Sequence, residues 1–81
     1  MIIEKKIKKQ LDNFSKKLVL LRESQKNRDG TTWTQRDVAL KLNLSYQSYQ
    51  AYERGKAYPT LENFLKLAEI FGVSLDYLIA D

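Results

Sequence analysis

The chain has 81 residues and a formal net charge of +4, and it contains neither cysteine nor histidine. That length allows one small domain with a modest hydrophobic core and no separate ligand-binding domain. The composition excludes disulfides, zinc sites built from Cys or His, and catalysis that depends on either residue type. No apolar run reaches the roughly 20 residues of a membrane span, so we expect a folded cytoplasmic protein.

The positive charge is concentrated towards the N-terminus. Residues 1–28 contain nine Lys or Arg and three Asp or Glu, whereas residues 29–81 contain five and seven. The first segment therefore carries +6 and the remainder −2. This is a weaker electrostatic case for binding nucleic acid than a uniformly basic domain would make.

The first element is an amphipathic segment that predicts one long helix, or two nearly continuous ones, over about residues 2–25. Its apolar residues recur at spacings of three and four, as on a helix with one buried face: Ile3, Ile7, Leu11, Phe14, Leu18 and Leu21. We divide the chain into an N-terminal helical extension, residues 1–13, and a domain, residues 14–81. Ile3, Ile7 and Leu11, which we call the N-terminal seam, pack either on the domain or on another chain.

A polar connection, Gln25–Trp33, follows this helix and contains several turn-forming residues. Trp33 stands directly before a helix N-cap, where a large apolar side chain can form a hydrophobic staple with the fourth helical residue. We therefore expect Trp33 to plug the core, with Val38 as its partner. This connection could reach a neighbouring subunit or, through Lys26 and Arg28, a strand of nucleic acid.

The segment Thr34–Gly55 predicts two short helices joined by a tight turn. Thr34 and Ser45 are N-caps, because their hydroxyls can accept from the free amides of a first turn. Asn43 tolerates the left-handed conformation that ends a helix. The inward-facing positions are apolar or aromatic: Val38, Ala39, Leu42, Tyr49 and Tyr52. Such a unit projects its second helix outward, where it can enter a major groove about 12 Å wide.

Two further helices are predicted after Pro59. Thr60 caps the first, which Gly72 ends, and Ser74 caps the last, over Leu75–Ile79 with Leu75 and Leu78 facing inward. The first of these helices is expected to bury a broad apolar face: Leu61, Phe64, Leu65, Leu67, Ala68 and Phe71. The predicted fold class is therefore all-α, with five helices and no strand.

Several short motifs follow one another along the chain in the order of one known family. They are Thr34-Gln35, Val38-Ala39, Leu42-Asn43-Leu44-Ser45, Glu53-Arg54-Gly55-Lys56, Pro59-Thr60-Leu61 and Phe71-Gly72-Val73-Ser74. With them, residues 14–79 resemble the Cro/repressor-type (XRE-like) helix-turn-helix DNA-binding family. The resemblance implies a five-helix repressor-like domain. The connection from Arg22 to Thr34 is longer than is usual in that family, and the extension is additional.

The resemblance also implies which side chains meet DNA. The residues that face base edges are Tyr46, Gln47, Gln50 and Ala51, and those that hold the sugar-phosphate strand are Gln35, Ser45, Arg54, Lys56 and Tyr58. Glutamine suits adenine N6 and N7, and alanine suits the thymine methyl group. Arg22 and Glu53 match an internal salt bridge. Against this interpretation, Tyr46–Tyr52 contains no Lys or Arg and would also serve as an ordinary exposed helix face.

The function that the resemblance implies is a sequence-specific transcriptional regulator of the phage or bacterial repressor type, which binds double-stranded DNA as a homodimer. The alternative is a protein-binding modulator, an antirepressor or an antitoxin, which would use the uncharged second helix or the N-terminal seam to hold another regulator. An enzyme is disfavoured, because no nucleophile and base are paired and the three glycines stand apart. No metal and no cofactor is expected.

Overall fold

The computed structural model describes residues 2–80. In that range five helices follow one another: α1 (Ile2–Glu23), α2 (Gln35–Leu42), α3 (Tyr46–Arg54), α4 (Leu61–Phe71) and α5 (Leu75–Ile79). The all-α prediction is confirmed, and α1 is one continuous helix. The helix continues without a break across residue 13. The division into an extension, residues 1–13, and a domain, residues 14–81, therefore stays a prediction. None of the described helices is long and apolar enough to cross a membrane.

The hydrophobic core lies where the second half of α1 meets the other four helices. Its fully buried side chains come from every helix: Phe14, Leu18, Val38, Leu42, Tyr49, Leu67 and Leu78. The ring of Phe14 lies 4.8 Å from that of Phe64, centroid to centroid. Tyr49 packs edge-on against Tyr52, and both are buried as predicted. The buried part of the amphipathic α1 pattern therefore begins at Phe14.

The prediction that the apolar face of α4 is buried throughout is wrong at two positions. Leu61 is 70% exposed and Leu65 is 52% exposed, and Leu75 of α5 is only half-buried. Phe64, Leu67 and the residues one turn later already fill the side of α4 that meets the core. A helix packed on one side buries a limited sector of its circumference, and Leu61 and Leu65 lie one turn apart outside that sector.

Both ends of α2 lie where the sequence predicts them. Thr34 Oγ1 accepts from the backbone N–H of Asp37 at 3.1 Å, and the Asp37 carboxylate accepts from the N–H of Thr34 at 2.8 Å. This reciprocal capping box fixes the start of α2. Asn43 ends α2 with φ at +58°, and the N–H of Leu44 then reaches back to the carbonyl of Ala39 at 2.9 Å. The tight turn is therefore closed by backbone hydrogen bonds.

The connection between α1 and α2 is an ordered, hairpin-like turn. Lys26 and Thr32 form an isolated antiparallel bridge, and the N–H of Trp33 donates to the carbonyl of Gln25 at 3.1 Å. The side-chain amide of Asn27 donates to the Asp37 carboxylate at 3.3 Å, which ties the turn to the start of α2. The polar connection predicted here is thus folded upon itself.

Trp33 packs against the core, as predicted, but its aromatic partner belongs to a more distant helix. The indole is half-buried, and its ring centroid lies 5.9 Å from that of Phe71 at the end of α4. Lys41 Nζ also lies over the indole, 4.6 Å from the ring centroid. Trp33 therefore links α2 to α4.

Candidate nucleic-acid interface

Helix α3 turns its aromatic side inward and its polar side outward. Tyr49 and Tyr52 anchor it in the core. Residues three and four positions apart share a helix side, and the side opposite this anchor carries the four residues predicted to face bases. We call them the reading surface: Tyr46, Gln47, Gln50 and Ala51. Gln47 is exposed, and the other three are half-buried.

The C-terminal end of α3 is held by a hydrogen-bond network centred on the Glu53 carboxylate. Arg22 of α1 donates to it twice, from Nε at 2.7 Å and from Nη2 at 3.0 Å, which confirms the predicted salt bridge. Gln35 of α2 donates to the same carboxylate from Nε2 at 3.0 Å. One side chain thus joins three helices, and the orientation of α3 is fixed from two directions.

Burial and hydrogen bonding act in opposite directions on Glu53. Its side chain is only 3% exposed, and burial by itself would raise the pKa of the carboxyl group. Hydrogen bonds from Arg22 and Gln35 to the charged form outweigh burial and hold the pKa of Glu53 below its usual range. The hydrogen bond to Glu53 likewise raises the pKa of Arg22. The pair is therefore a fixed, fully ionised brace.

Gln35 and Ser45, both predicted to bind phosphate, already have partners within the protein. Gln35 Nε2 is engaged by Glu53. Ser45 Oγ accepts from the N–H of Ser48 at 3.1 Å and donates to the Ser48 hydroxyl at 2.8 Å. The Gln35 carbonyl oxygen is an acceptor, so a phosphate would need the second amide proton of Gln35. Their contact with DNA stays a prediction, whereas their structural role as brace and N-cap is plain.

The other three predicted phosphate ligands lie at the C-terminal end of α3 or just beyond it. Arg54, Lys56 and Tyr58 are exposed, and in the range 2–80 neither basic side chain forms an ion pair. Gly55 ends α3 with φ at +72°, which turns the chain so that Lys56 and Tyr58 follow directly after the helix. Two cations and a phenol therefore border one end of the reading surface.

Arg36 is a basic residue that the sequence did not assign to this surface. Its guanidinium carbon lies 4.4 Å from the ring centroid of Tyr46, so that α2 contributes a cation to the start of α3. Tyr46 in turn accepts a hydrogen bond from Gln50 Nε2 at 2.9 Å. Arg36 and Tyr46 are ten positions apart in the sequence, on opposite sides of the turn between α2 and α3. Only the crossing of the two helices brings them together, and no sequence pattern indicates it.

Comparison with known proteins gives a family and several relatives. A family model described as helix-turn-helix matches residues 25–78, about two thirds of the chain. The cryptic phage CTXphi transcriptional repressor RstR of Vibrio cholerae is 40% identical over 45 residues, which is 56% of this chain and 40% of that protein.

Two proteins of Bacillus subtilis are similarly related. The SPbeta prophage-derived uncharacterized HTH-type transcriptional regulator YonR is 41% identical over 54 residues, 67% of this chain and 50% of that protein. The HTH-type transcriptional regulator ImmR is 38% identical over 47 residues, 58% and 37% of the two chains. The matched segments thus span half or less of these three relatives. No solved structure gives a significant match.

The family model and the geometry agree on the same segment. The matched residues include α2, the turn at Asn43, α3 and the Glu53 side of the brace. On this basis, the chain belongs to the XRE-type helix-turn-helix family.

Proposed function

We propose that this chain is a sequence-specific DNA-binding transcriptional regulator that inserts α3 into the major groove of an operator half-site. One observation carries the proposal: α3 presents the reading surface outward while the Arg22–Glu53–Gln35 network holds the C-terminal end of the same helix. A recognition helix must be rigid and exposed at once, because contacts to base edges need side chains at fixed positions. Relatives named as transcriptional regulators, one of them a phage repressor, support the same function.

Within this proposal the residues divide by role. Gln47 and Ala51 contact base edges, with Tyr46 and Gln50 beside them, while Arg54, Lys56 and Tyr58 hold the phosphate strand with Gln35 and Ser45. Two copies would bind successive major grooves about 34 Å apart on a near-palindromic site. The protein would act in the cytoplasm. The N-terminal seam, with Ile3 65% and Ile7 49% exposed, is the surface through which we expect the copies to associate.

The proposal is tested by selecting binding sites from random duplexes and measuring affinities by gel shift over a range of salt concentrations. We expect one preferred sequence and an affinity that falls steeply with salt, because phosphate contacts release counterions. Equal binding to all duplexes at moderate salt would overturn the proposal. Stable capture of another regulator, without DNA preference, would favour the protein-binding alternative instead.

Two substitutions separate base reading from phosphate binding. Gln47→Ala should reduce discrimination at one base pair by about 1–3 kcal/mol. Lys56→Ala should weaken every sequence alike and lower the salt slope by about 1. Lys66→Ala is the matched control, because it removes the same charge from α4, where Lys66 pairs with Glu62 at 3.5 Å. A change of base preference in Lys56→Ala, or none in Gln47→Ala, would contradict these assignments.

A further inference from the structure

The segment of α3 that carries the reading surface, Tyr46–Tyr52, contains no cation, and α2 supplies one. Arg with guanine is the commonest specific contact between a side chain and a base, yet Tyr46–Tyr52 contains no basic residue. Arg36 lies in the first turn of α2, and its guanidinium carbon lies over the ring of Tyr46, 4.4 Å from the ring centroid. The positive charge that Tyr46–Tyr52 lacks is therefore present beside Tyr46.

The stack holds the guanidinium without using its donors. A guanidinium over an aromatic ring is attracted to the ring as a cation, and this attraction uses none of its hydrogen-bond donors. Arg36 is exposed, and no acceptor within residues 2–80 takes a hydrogen bond from it. Arg22 is the contrast, because Glu53 and the Trp33 carbonyl accept from three of its nitrogens. The Arg36 guanidinium is thus held over Tyr46, and its N–H groups remain available to an outside acceptor.

Tyr46 is itself held from the other side. Its hydroxyl accepts from Gln50 Nε2 at 2.9 Å, one helical turn further along α3. The three side chains form a chain of contacts, Arg36 to Tyr46 to Gln50, along the edge of the reading surface. In this arrangement Gln50 donates one amide proton to the Tyr46 hydroxyl and so orients the ring. Gln50 is therefore a positioning residue for the contact between Arg36 and Tyr46.

We propose that Arg36, stacked on Tyr46, reads a guanine in the half-site by donating to its O6 and N7 in the major groove. This inference rests on the proposed function. A planar fork that is held beside a base-facing residue fits the two adjacent acceptors of guanine. The cations that hold phosphate lie at the other end of α3, at Arg54 and Lys56. Tyr46 supplies the platform, and Gln50 positions it.

The test uses the site that the full chain selects, with each base pair replaced in turn by the other three. We expect a guanine whose replacement weakens wild-type binding roughly tenfold to a hundredfold. Arg36→Ala should remove that preference and leave the others. Arg36→Lys should also remove it, since an ammonium cannot form the planar two-point contact. Tyr46→Leu should lose the same preference, whereas Tyr46→Phe keeps the ring and retains most of it.

Lys41→Ala is the matched control. Lys41 is exposed on the same helix and also lies over an aromatic ring, but that ring belongs to Trp33, so its removal should change no base preference. Arg36→Ala combined with Tyr46→Leu should cost no more discrimination than Arg36→Ala alone. Thermal unfolding of each variant, followed by circular dichroism, checks that the fold persists.

Three results would overturn the inference. If wild type is selective but Arg36→Ala keeps every preference, Arg36 reads no base, while the proposed function stands. If Arg36→Ala weakens all sequences alike with a smaller salt slope, Arg36 binds phosphate, and the assignment to guanine fails. If wild type selects no sequence at all, the proposed function and this inference fall together.

Discussion

At the scale of single residues, Glu53 has the most consequences for the fold. It lies on α3, accepts from α1 and α2, and is almost wholly buried. A buried carboxylate of this kind is costly unless every lone pair is used. Removing its charge leaves the Arg22 guanidinium, 15% exposed, without its counter-charge.

Glu53→Gln should lower the free energy of unfolding by about 3 kcal/mol at neutral pH, because it breaks a buried pair on one side. The pKa of Glu53 is depressed on folding, so its stabilisation is complete above the usual value of 4.5. That stabilisation is lost as the pH falls through the lower value of the folded state. Wild type and variant should therefore converge in acid. Urea midpoints measured from pH 3 to pH 7 test this.

Glu62→Gln is the control for that measurement. Glu62 also pairs with a basic side chain, Lys66, but it is 78% exposed. Exposed pairs of this kind contribute little. We expect its substitution to leave stability within about 0.5 kcal/mol at every pH. A loss as large as that of Glu53→Gln would show that burial is not the cause.

At the scale of elements, the turn between α2 and α3 depends on one unusual backbone conformation. Asn43 adopts φ +58°, which L-residues with a Cβ resist and asparagine tolerates best. Asn43→Ala should cost about 1 kcal/mol of unfolding free energy, whereas Asn43→Gly should be close to neutral. Chemical denaturation of both variants compares them directly. Equal losses would mean that the Asn43 side chain, and not its backbone, stabilises the turn.

The sequence predicts these elements well because their signals are local. Thr34, Asn43 and Ser45 each fix a helix end within a few residues of themselves, and each acts as predicted. The Arg22–Glu53 pair could be predicted only through family resemblance. The Arg36–Tyr46 stack and the exposure of Leu65 depend on how helices cross. That crossing angle is a tertiary property, which the spacing of residues along one helix does not contain.

At the scale of the whole molecule, α1 extends well beyond the hydrophobic core, because its buried residues begin only at Phe14. The molecule measures 47 × 22 × 19 Å, and the 22 residues of α1 account for about 33 Å at 1.5 Å per residue. Its second half is anchored by Phe14 and Leu18. At the C-terminal end of α5, the carbonyls of Tyr77 and Ala80 accept from Lys17 Nζ at 2.7 and 2.8 Å. The seam residues Ile3 and Ile7 lie beyond this anchorage.

Ile7→Ser should change the free energy of unfolding by no more than about 0.5 kcal/mol, because the side chain is already half in water. Leu18→Ala, in contrast, empties a fully buried site and should cost about 2–5 kcal/mol. If two copies associate through the seam, Ile7→Ser should weaken that association in sedimentation equilibrium. Leu40→Ser, which removes an apolar residue 81% exposed on α2, should not. Identical association of both variants would exclude the seam as the contact between copies.

The lone tryptophan gives the molecule a built-in optical reporter. Trp33 touches Phe71, lies under Lys41, and its carbonyl accepts from Arg22, so its emission reports the joining of α1, α2 and α4. It is half-buried against the core and is not among the residues proposed to contact DNA. Its fluorescence should therefore shift when the chain unfolds and stay nearly constant when a duplex is added, which separates loss of structure from loss of binding in one cuvette.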